Sequence, residues 1–113
     1  SKSDIQERQD EWLSEAQKRR AEQETLDREA AADHARAVRQ WNKQYRDAKQ
    51  TLIKAKDALK KGVVVDEGDF IGKAGGGARP SEKFFAKEQA LKDDVEKAKQ
   101  NLARIKRLKP KPQ

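Results

Sequence analysis

The apolar residues between positions 38 and 59 recur in alternating steps of three and four. This seven-residue repeat predicts a helix whose apolar stripe stays in contact with a partner helix. No Pro or Gly precedes Gly62, so residues 1–61 are predicted to form one long helix, on the order of 85 Å at 1.5 Å per residue. The stripe consists of Val38, Trp41, Tyr45, Ala48, Leu52, Ala55 and Leu59.

The first half of this predicted helix has a weaker pattern. Ile5, Trp12 and Leu26 fall near one stripe, but polar residues interrupt it. We expect a phase slip or a break near residues 26–38. Three arrangements of residues 1–35 stay open: a third helix folded back, a projection beyond the second helix, or a homodimer with a second copy. The interrupting residues are Gln9, Arg19 and Gln23.

The composition changes abruptly after Lys61. Gly62 follows two lysines whose charges suit a helix C-terminus, and the valines and glycines that follow disfavour helix. Residues 62–80 are therefore predicted to be an irregular, glycine-rich loop at the tip of the fold. Ser81 predicts the N-cap of a second helix over 81–108, which leaves 109–113 as a linker.

The second predicted helix repeats the seven-residue period, interrupted only by Glu88. Two matched stripes of similar length, joined by a loop, predict an all-α fold, an antiparallel coiled-coil helical hairpin with a long first helix. The second stripe consists of Phe84, Leu91, Val95, Ala98, Leu102 and Ile105. The pairing sets Leu59 near Phe84, Leu52 near Leu91, Ala48 near Val95, Tyr45 near Ala98, Trp41 near Leu102 and Val38 near Ile105.

Composition supports a thin helical domain within residues 1–113. Charged residues make up 42% and aromatic residues 5% of the chain, which is typical of coiled coils and disordered chains and unlike thick globular cores. There is no cysteine, and no apolar run reaches the roughly 20 residues of a membrane span. The start at Ser1 and the Pro/Lys-rich end predict a segment excised from a larger protein, or a trimmed terminus.

The net charge of +7 is unevenly distributed. Residues 1–33 hold six Lys/Arg against ten Asp/Glu, whereas the remainder holds 21 against ten. A basic surface over residues 36–61 could contact nucleic acid phosphates or an anionic membrane. No nucleic-acid recognition motif accompanies it, so a solvated coiled-coil exterior is the simpler interpretation.

The sequence offers little catalytic or metal-binding chemistry. His34 is the single histidine, and one imidazole without neighbouring ligands is a poor metal or catalytic centre. Asp66, Glu67 and Asp69 lack the ligand spacing of a calcium loop, so we expect them to solvate the loop. The glycines at 75–77 lack the flanks of a phosphate-binding loop. We therefore expect no enzyme activity, no cofactor and no metal.

The predicted loop carries an unusual set of apolar residues. A hairpin that only reverses direction uses two to eight residues, and longer irregular loops tend to be functional or disordered. Exposed apolar clusters usually mark contact surfaces. The alternative is that these residues cover Leu59 and Phe84 at the end of the helix pair. The candidate partner-binding residues are Val63, Val64, Val65, Phe70 and Ile71.

The heptads of 38–59 and 84–105, the tip at 63–79 and the Lys/Pro-rich exit at 107–112 together form a recognisable combination. It resembles the receptor-binding hairpin domain of nuclease colicins and related bacteriocins. The resemblance implies a non-catalytic spacer whose tip, Val63 to Ile71, binds a protein partner such as an outer-membrane receptor. It also implies a secreted multidomain toxin.

Two other functions stay open. One is a basic coiled coil associated with nucleic acid, such as a phage packaging or replication accessory, which would be cytoplasmic. The other is a purely structural coiled coil that dimerises through residues 1–35. The charge distribution and the apolar residues of the first helix, respectively, motivate these alternatives.

Overall fold

A computed structural model describes residues 1–72 and 76–113. The elements follow in the order α1 (Lys2–Lys61), β1 (Phe70–Ile71), β2 (Arg79–Pro80) and α2 (Glu82–Arg107). The chain divides into two compact units, one of Ser1–Arg39 with Pro110–Gln113 and the other of Gln40–Lys109.

The unit Gln40–Lys109 contains the helical hairpin. The C-terminal part of α1 and all of α2 lie antiparallel and bury the apolar stripes that the heptads predict. Every stripe position of this unit is buried or half-buried, including the polar Glu88. The predicted all-α hairpin is confirmed. The most deeply buried apolar residues are Ala48, Val95, Ala98 and Ile105.

A hydrogen bond fixes the two helices at the end away from the loop. The indole Nε1 of Trp41 donates to the carbonyl oxygen of Ile105 at 2.7 Å. Sequence pairing sets Trp41 near Leu102, and the side chain reaches one turn further along α2. Helical side chains lean toward the N-terminus of their own helix, and that direction in α1 points toward the C-terminus of α2. Trp41 also stacks on Tyr45, with ring centroids 4.8 Å apart.

The first helix is continuous, as the absence of Pro and Gly before Gly62 predicts, and the alternative of a break near residues 26–38 is wrong. Helix α1 passes through residues 26–38, all of them described, and neither the break nor a separate third helix is present there. Strong helix formers such as the run of alanines at 30–32 maintain the helix through the phase slip.

The unit Ser1–Arg39 with Pro110–Gln113 buries little apolar surface. Trp12 and Leu13 are exposed, as are Ile5 and Leu26 on the same helix. The predicted linker returns to this unit, because the side-chain amide of Gln113 donates to the carbonyl oxygen of Ala30 at 3.1 Å.

The loop between the helices contains regular structure that the sequence did not predict. Gly62 (φ +82°) follows α1, and β1 pairs antiparallel with β2 so that Phe70 lies opposite Pro80. The prediction that the whole loop 62–80 is irregular is therefore wrong for Phe70–Ile71 and Arg79–Pro80, which form the two strands. The segment 73–75, within the predicted loop 62–80, lies outside the described residues.

Ser81 caps α2 as predicted. Its backbone is extended (φ −87°, ψ 172°) and its Oγ accepts a hydrogen bond from the Phe84 N–H at 3.3 Å. The helix therefore begins at Glu82 because a local side chain satisfies one of its unpaired N–H groups.

Burial of the helix seam should determine the stability of the hairpin. Ile105→Ala should lower the free energy of unfolding by about 2–4 kcal/mol, because Ile105 is only 5% exposed and its removal leaves a cavity. Ile53→Ala provides a matched control, since Ile53 is 59% exposed and should lose less than about 0.5 kcal/mol. Urea unfolding followed by circular dichroism measures both. Equal losses would contradict the observed seam.

Candidate binding site on the interhelical loop

Asp69 forms the centre of the loop. Its side chain is fully buried, and its Oδ2 accepts hydrogen bonds from the Asp66 N–H at 2.6 Å and from the Lys87 Nζ at 2.7 Å. The Asp69 N–H in turn donates to the Asp66 carbonyl at 3.1 Å. This four-residue turn has Gly68 at its third position with φ +84°, where a side chain would be strained. Asp69 therefore fixes the turn from both its main chain and its carboxylate.

Three polar side chains at the start of α2 hold this turn against the helix. The Ser81 Oγ donates to the Gly68 carbonyl at 2.5 Å, and the Lys83 Nζ donates to the Glu67 carbonyl at 2.6 Å. The Lys87 Nζ also lies 3.3 Å from the Val64 carbonyl. The Ser81 N–H donates to the Asp69 carbonyl at 2.8 Å. The loop backbone between residues 64 and 69 is thus positioned by donors from α2.

The Lys87 ammonium hydrogen bond holds the pKa of Asp69 below the ordinary carboxyl value of 3.8. Burial of the carboxylate opposes this and raises the pKa, while the Asp66 N–H and the charges of Lys87 and Lys83 lower it further. The carboxylate is therefore ionised at neutral pH and paired with an ammonium. The expectation that Asp69 solvates the loop is wrong, because the turn encloses its side chain.

The predicted partner-binding residues do not share one environment. Val63 is half-buried, whereas Val64 is 85% exposed and Val65 is also exposed. Phe70 and Ile71, on β1, are 45% and 52% exposed. Four of the five predicted residues therefore present apolar surface to solvent.

An aromatic group joins β1 to the start of α2. The rings of Phe70 and Phe84 are 5.3 Å apart, and those of Phe84 and Phe85 are 5.9 Å apart. Such tilted and edge-to-face contacts are favourable aromatic geometries. Phe70 thus covers the seam residue Phe84, as the capping alternative expects, while a large part of its own surface stays exposed.

A groove of about 890 Å³ lies on the valine side of the loop. Its apolar wall is formed by the three valines with Ala58, Ala90 and Leu91. Lysines 54, 61 and 87 border it together with Asp57 and Asp66. The groove therefore combines an apolar wall with a border of mixed charge, in which Lys61 is paired with Asp57.

Sequence reasoning missed three residues of this site. Phe85 is 55% exposed, and its position one residue after the seam residue Phe84 could have indicated an outward-facing aromatic. Lys87 and Asp69 gave no such indication, because a pair 18 residues apart forms only when the loop folds onto α2.

Catalysis or ligand binding was also considered for His34, the acidic residues and the glycines at 75–77. His34 is half-buried on α1. Over 1–72 and 76–113, His, Asp and Glu side chains form no cluster of three suited to a metal ion. In the same ranges, neither helix has an apolar stretch long enough to cross a bilayer. Gly75, the first residue of the glycine run, lies outside the described residues.

The Asp69–Lys87 pair should make the loop sensitive to acid. Because the folded pKa of Asp69 is lowered, its stabilising contribution is complete above pH 3.8 and is lost as the pH falls below that value through the folded pKa. Asp69→Asn should remove this dependence and accelerate exchange of the Asp66 amide hydrogen roughly tenfold or more, since a charge-assisted hydrogen bond is lost. Nuclear magnetic resonance measures the exchange rate.

Asp66→Asn provides the control, because the exposed Asp66 carboxylate accepts only a local bond from the Glu67 N–H. Its effect on amide exchange should be much smaller. An equal effect of the two substitutions would show that the buried pair does not hold the turn.

Comparison with known proteins identifies no relative of this chain. No protein family, curated protein or solved structure matches the chain.

Proposed function

We propose that the hairpin is a protein-binding and spacer module whose loop end contacts a partner protein. The observation that carries the proposal is the exposure of Val64, Val65, Phe70 and Ile71 on a backbone that buried polar contacts hold in place. Apolar side chains exposed together on a fixed backbone favour association with another protein.

The polar contacts of the loop reduce the entropic cost of binding. The turn at 66–69 is fixed by Asp69, and Lys87 holds both this turn and the Val64 carbonyl. A loop that is ordered before binding loses less conformational freedom in the complex. The Asp69–Lys87 pair would therefore support affinity without contacting the partner.

The exposed side chains must act together to give useful affinity. Complete burial of one Phe or Ile side chain contributes about 1.5–3 kcal/mol, whereas association costs on the order of 4–15 kcal/mol. Phe70 and Ile71 alone would not offset that cost. Val64, Val65 and Phe85 supply further exposed apolar surface on the same unit.

The resemblance to the receptor-binding hairpins of nuclease colicins and related bacteriocins suggests the class of partner. In this proposal the loop binds an outer-membrane protein of a target bacterium, and the helices separate the loop from other domains of a secreted toxin. Support comes from the antiparallel hairpin of Gln40–Lys109 and from the apolar residues of its loop.

Nucleic-acid association is the weaker alternative. Lys and Arg residues are dense at the end of the hairpin away from the loop, where Trp41 lies beside Ile105. The indole of Trp41 is half-buried, stacked on Tyr45 and hydrogen-bonded, so it offers no ring face for base stacking. Duplex binding that weakens steeply with salt in gel-shift experiments would support this alternative.

Binding of the fluorescently labelled chain to intact Gram-negative cells tests the proposal. The double substitution Phe70→Ser and Ile71→Ser should reduce cell binding at least roughly tenfold, because two apolar contacts are lost. Binding should also disappear when surface proteins of the cells are removed by protease.

Ile53→Ser is the matched control, since Ile53 is at least as exposed as Phe70 and Ile71 but lies on α1, outside the loop. It should bind cells like the parent chain, and both variants should keep the parent's helical circular dichroism. Equal binding by the loop variant and the parent would refute the proposal. Loss of helical signal in the loop variant would instead support the capping role of Phe70.

A further inference from the structure

Five lysines line one side of the hairpin seam. Each follows a buried or half-buried seam residue by one position, as Lys49 follows Ala48 and Lys99 follows Ala98. One position is a rotation of about 100° in a helix. Because the two helices run in opposite directions and face each other, this rotation carries the lysines of both helices to the same side. This lysine row consists of Lys49, Lys56, Lys92, Lys99 and Lys106.

The positions that border the seam on its other side form no such row. They precede Tyr45, Leu52, Leu59, Glu88, Val95 and Leu102 by one residue and include a single lysine and a single aspartate. These residues are Gln44, Thr51, Ala58, Lys87, Asp94 and Asn101. At the positions that directly border the seam, lysines are therefore concentrated on one side, while Lys54, Lys97 and Arg104 lie further out on the other side.

The lysine row is poorly neutralised by the described part of the chain. All five side chains are exposed. Lys92 lies 3.8 Å from a Glu88 carboxylate oxygen, and the Lys49 ammonium lies 4.5 Å from the centre of the Tyr45 ring. Like charges along one seam repel one another, so an anionic surface that runs parallel to the row would be favourable.

The N-terminal part of α1 carries a matching row of glutamates, with Lys18 and Arg19 between its first two members. Glu15, Glu22 and Glu29 follow one another at seven-residue intervals and are exposed. Lys92, Lys99 and Lys106 have the same interval, which is about 10 Å along a helix. This glutamate row and the lysines of α2 therefore have the same charge spacing over about 21 Å.

Apolar side chains border both rows. Trp12 and Leu26 precede Glu15 and Glu29 by three positions, so they are their surface neighbours. Both are exposed, as are Ile53 beside Lys56 and Phe85 at the loop end of the lysine row. A contact between the two rows would bury these side chains as well as pair the charges.

We propose that the chain self-associates, with the glutamate row of one copy lying along the lysine row of a second copy. The contact uses exposed charges that are opposite in sign and equal in spacing, and apolar neighbours on both sides. The contact shares Phe85 with the loop site but uses none of Val64, Val65, Phe70 and Ile71, so the proposed receptor-binding function can fail without affecting it.

Sedimentation equilibrium of the full chain, with charge-reversed variants, tests the proposal. The parent chain should associate at low salt and dissociate as salt screens the charges. The variants E15K/E22K/E29K and K92E/K99E/K106E should each associate roughly tenfold more weakly, because three exposed pairs are replaced by repulsions. An equimolar mixture of the two variants should recover the parent's association, since each supplies the charge that the other has lost.

K43E/K54E/K97E is the matched control, because it changes the net charge equally at exposed positions outside the row. It should associate like the parent, and circular dichroism should show all four proteins equally helical. A monomeric parent at low salt, unchanged association of both row variants, or a mixture that stays monomeric would each overturn the proposal. A monomeric parent that binds a single-stranded oligonucleotide through the lysine row would assign that row to nucleic acid instead.

Discussion

The rest of the structure depends on the contact between α2 and the C-terminal part of α1. This contact places its buried residues along a single seam, and two of the most buried, Ala48 and Ala98, are small enough to let the helices approach closely. The Trp41 hydrogen bond to the Ile105 carbonyl adds a directional constraint at one end. A heptad pattern brings helices together but tolerates sliding by one repeat, and this bond favours a single register.

So narrow a seam cannot hold an interhelical loop by apolar contacts alone. The structure uses polar contacts there, with a buried carboxylate at Asp69 and donors from Ser81, Lys83 and Lys87 on the adjoining helix. Burial of an ionised group is costly unless it is paired and hydrogen-bonded. Asp69 meets both conditions through its Oδ2, which accepts from the Asp66 N–H and the Lys87 Nζ. Because these polar contacts fix the turn, Val64, Val65 and Ile71 can remain exposed.

Some charged residues repeat along the helices with the same seven-residue period as the apolar residues. The seven-residue period that places apolar residues in the seam also repeats lysines beside it and glutamates along the N-terminal part of α1. Charges in such flanking positions influence partner choice and orientation in coiled coils more than they influence stability. The loop and the charged rows therefore offer two separate surfaces, one apolar and one electrostatic.

The helices, the seam and the N-cap could be predicted from local sequence patterns. Helix period and helix propensity are local properties, so the stripes of residues 38–59 and 84–105 and the N-cap at Ser81 could be read directly from the chain. The same reading identified Val64, Phe70 and Ile71 as apolar residues in a loop, which the structure shows exposed.

The contacts between and beside these elements depend on how the chain folds and could not be predicted from local patterns. The sequence suggested that Asp69 is a solvated loop acid, whereas in the structure its carboxylate is buried and paired with Lys87. The contact between Phe70 and Phe84 likewise forms only when the loop packs on the start of α2. The lysine row beside the seam also requires the two helices to be antiparallel, because only then do the lysines of both helices lie on the same side. These features arise from contacts between residues far apart in sequence, and local pattern contains no information on which distant groups will meet.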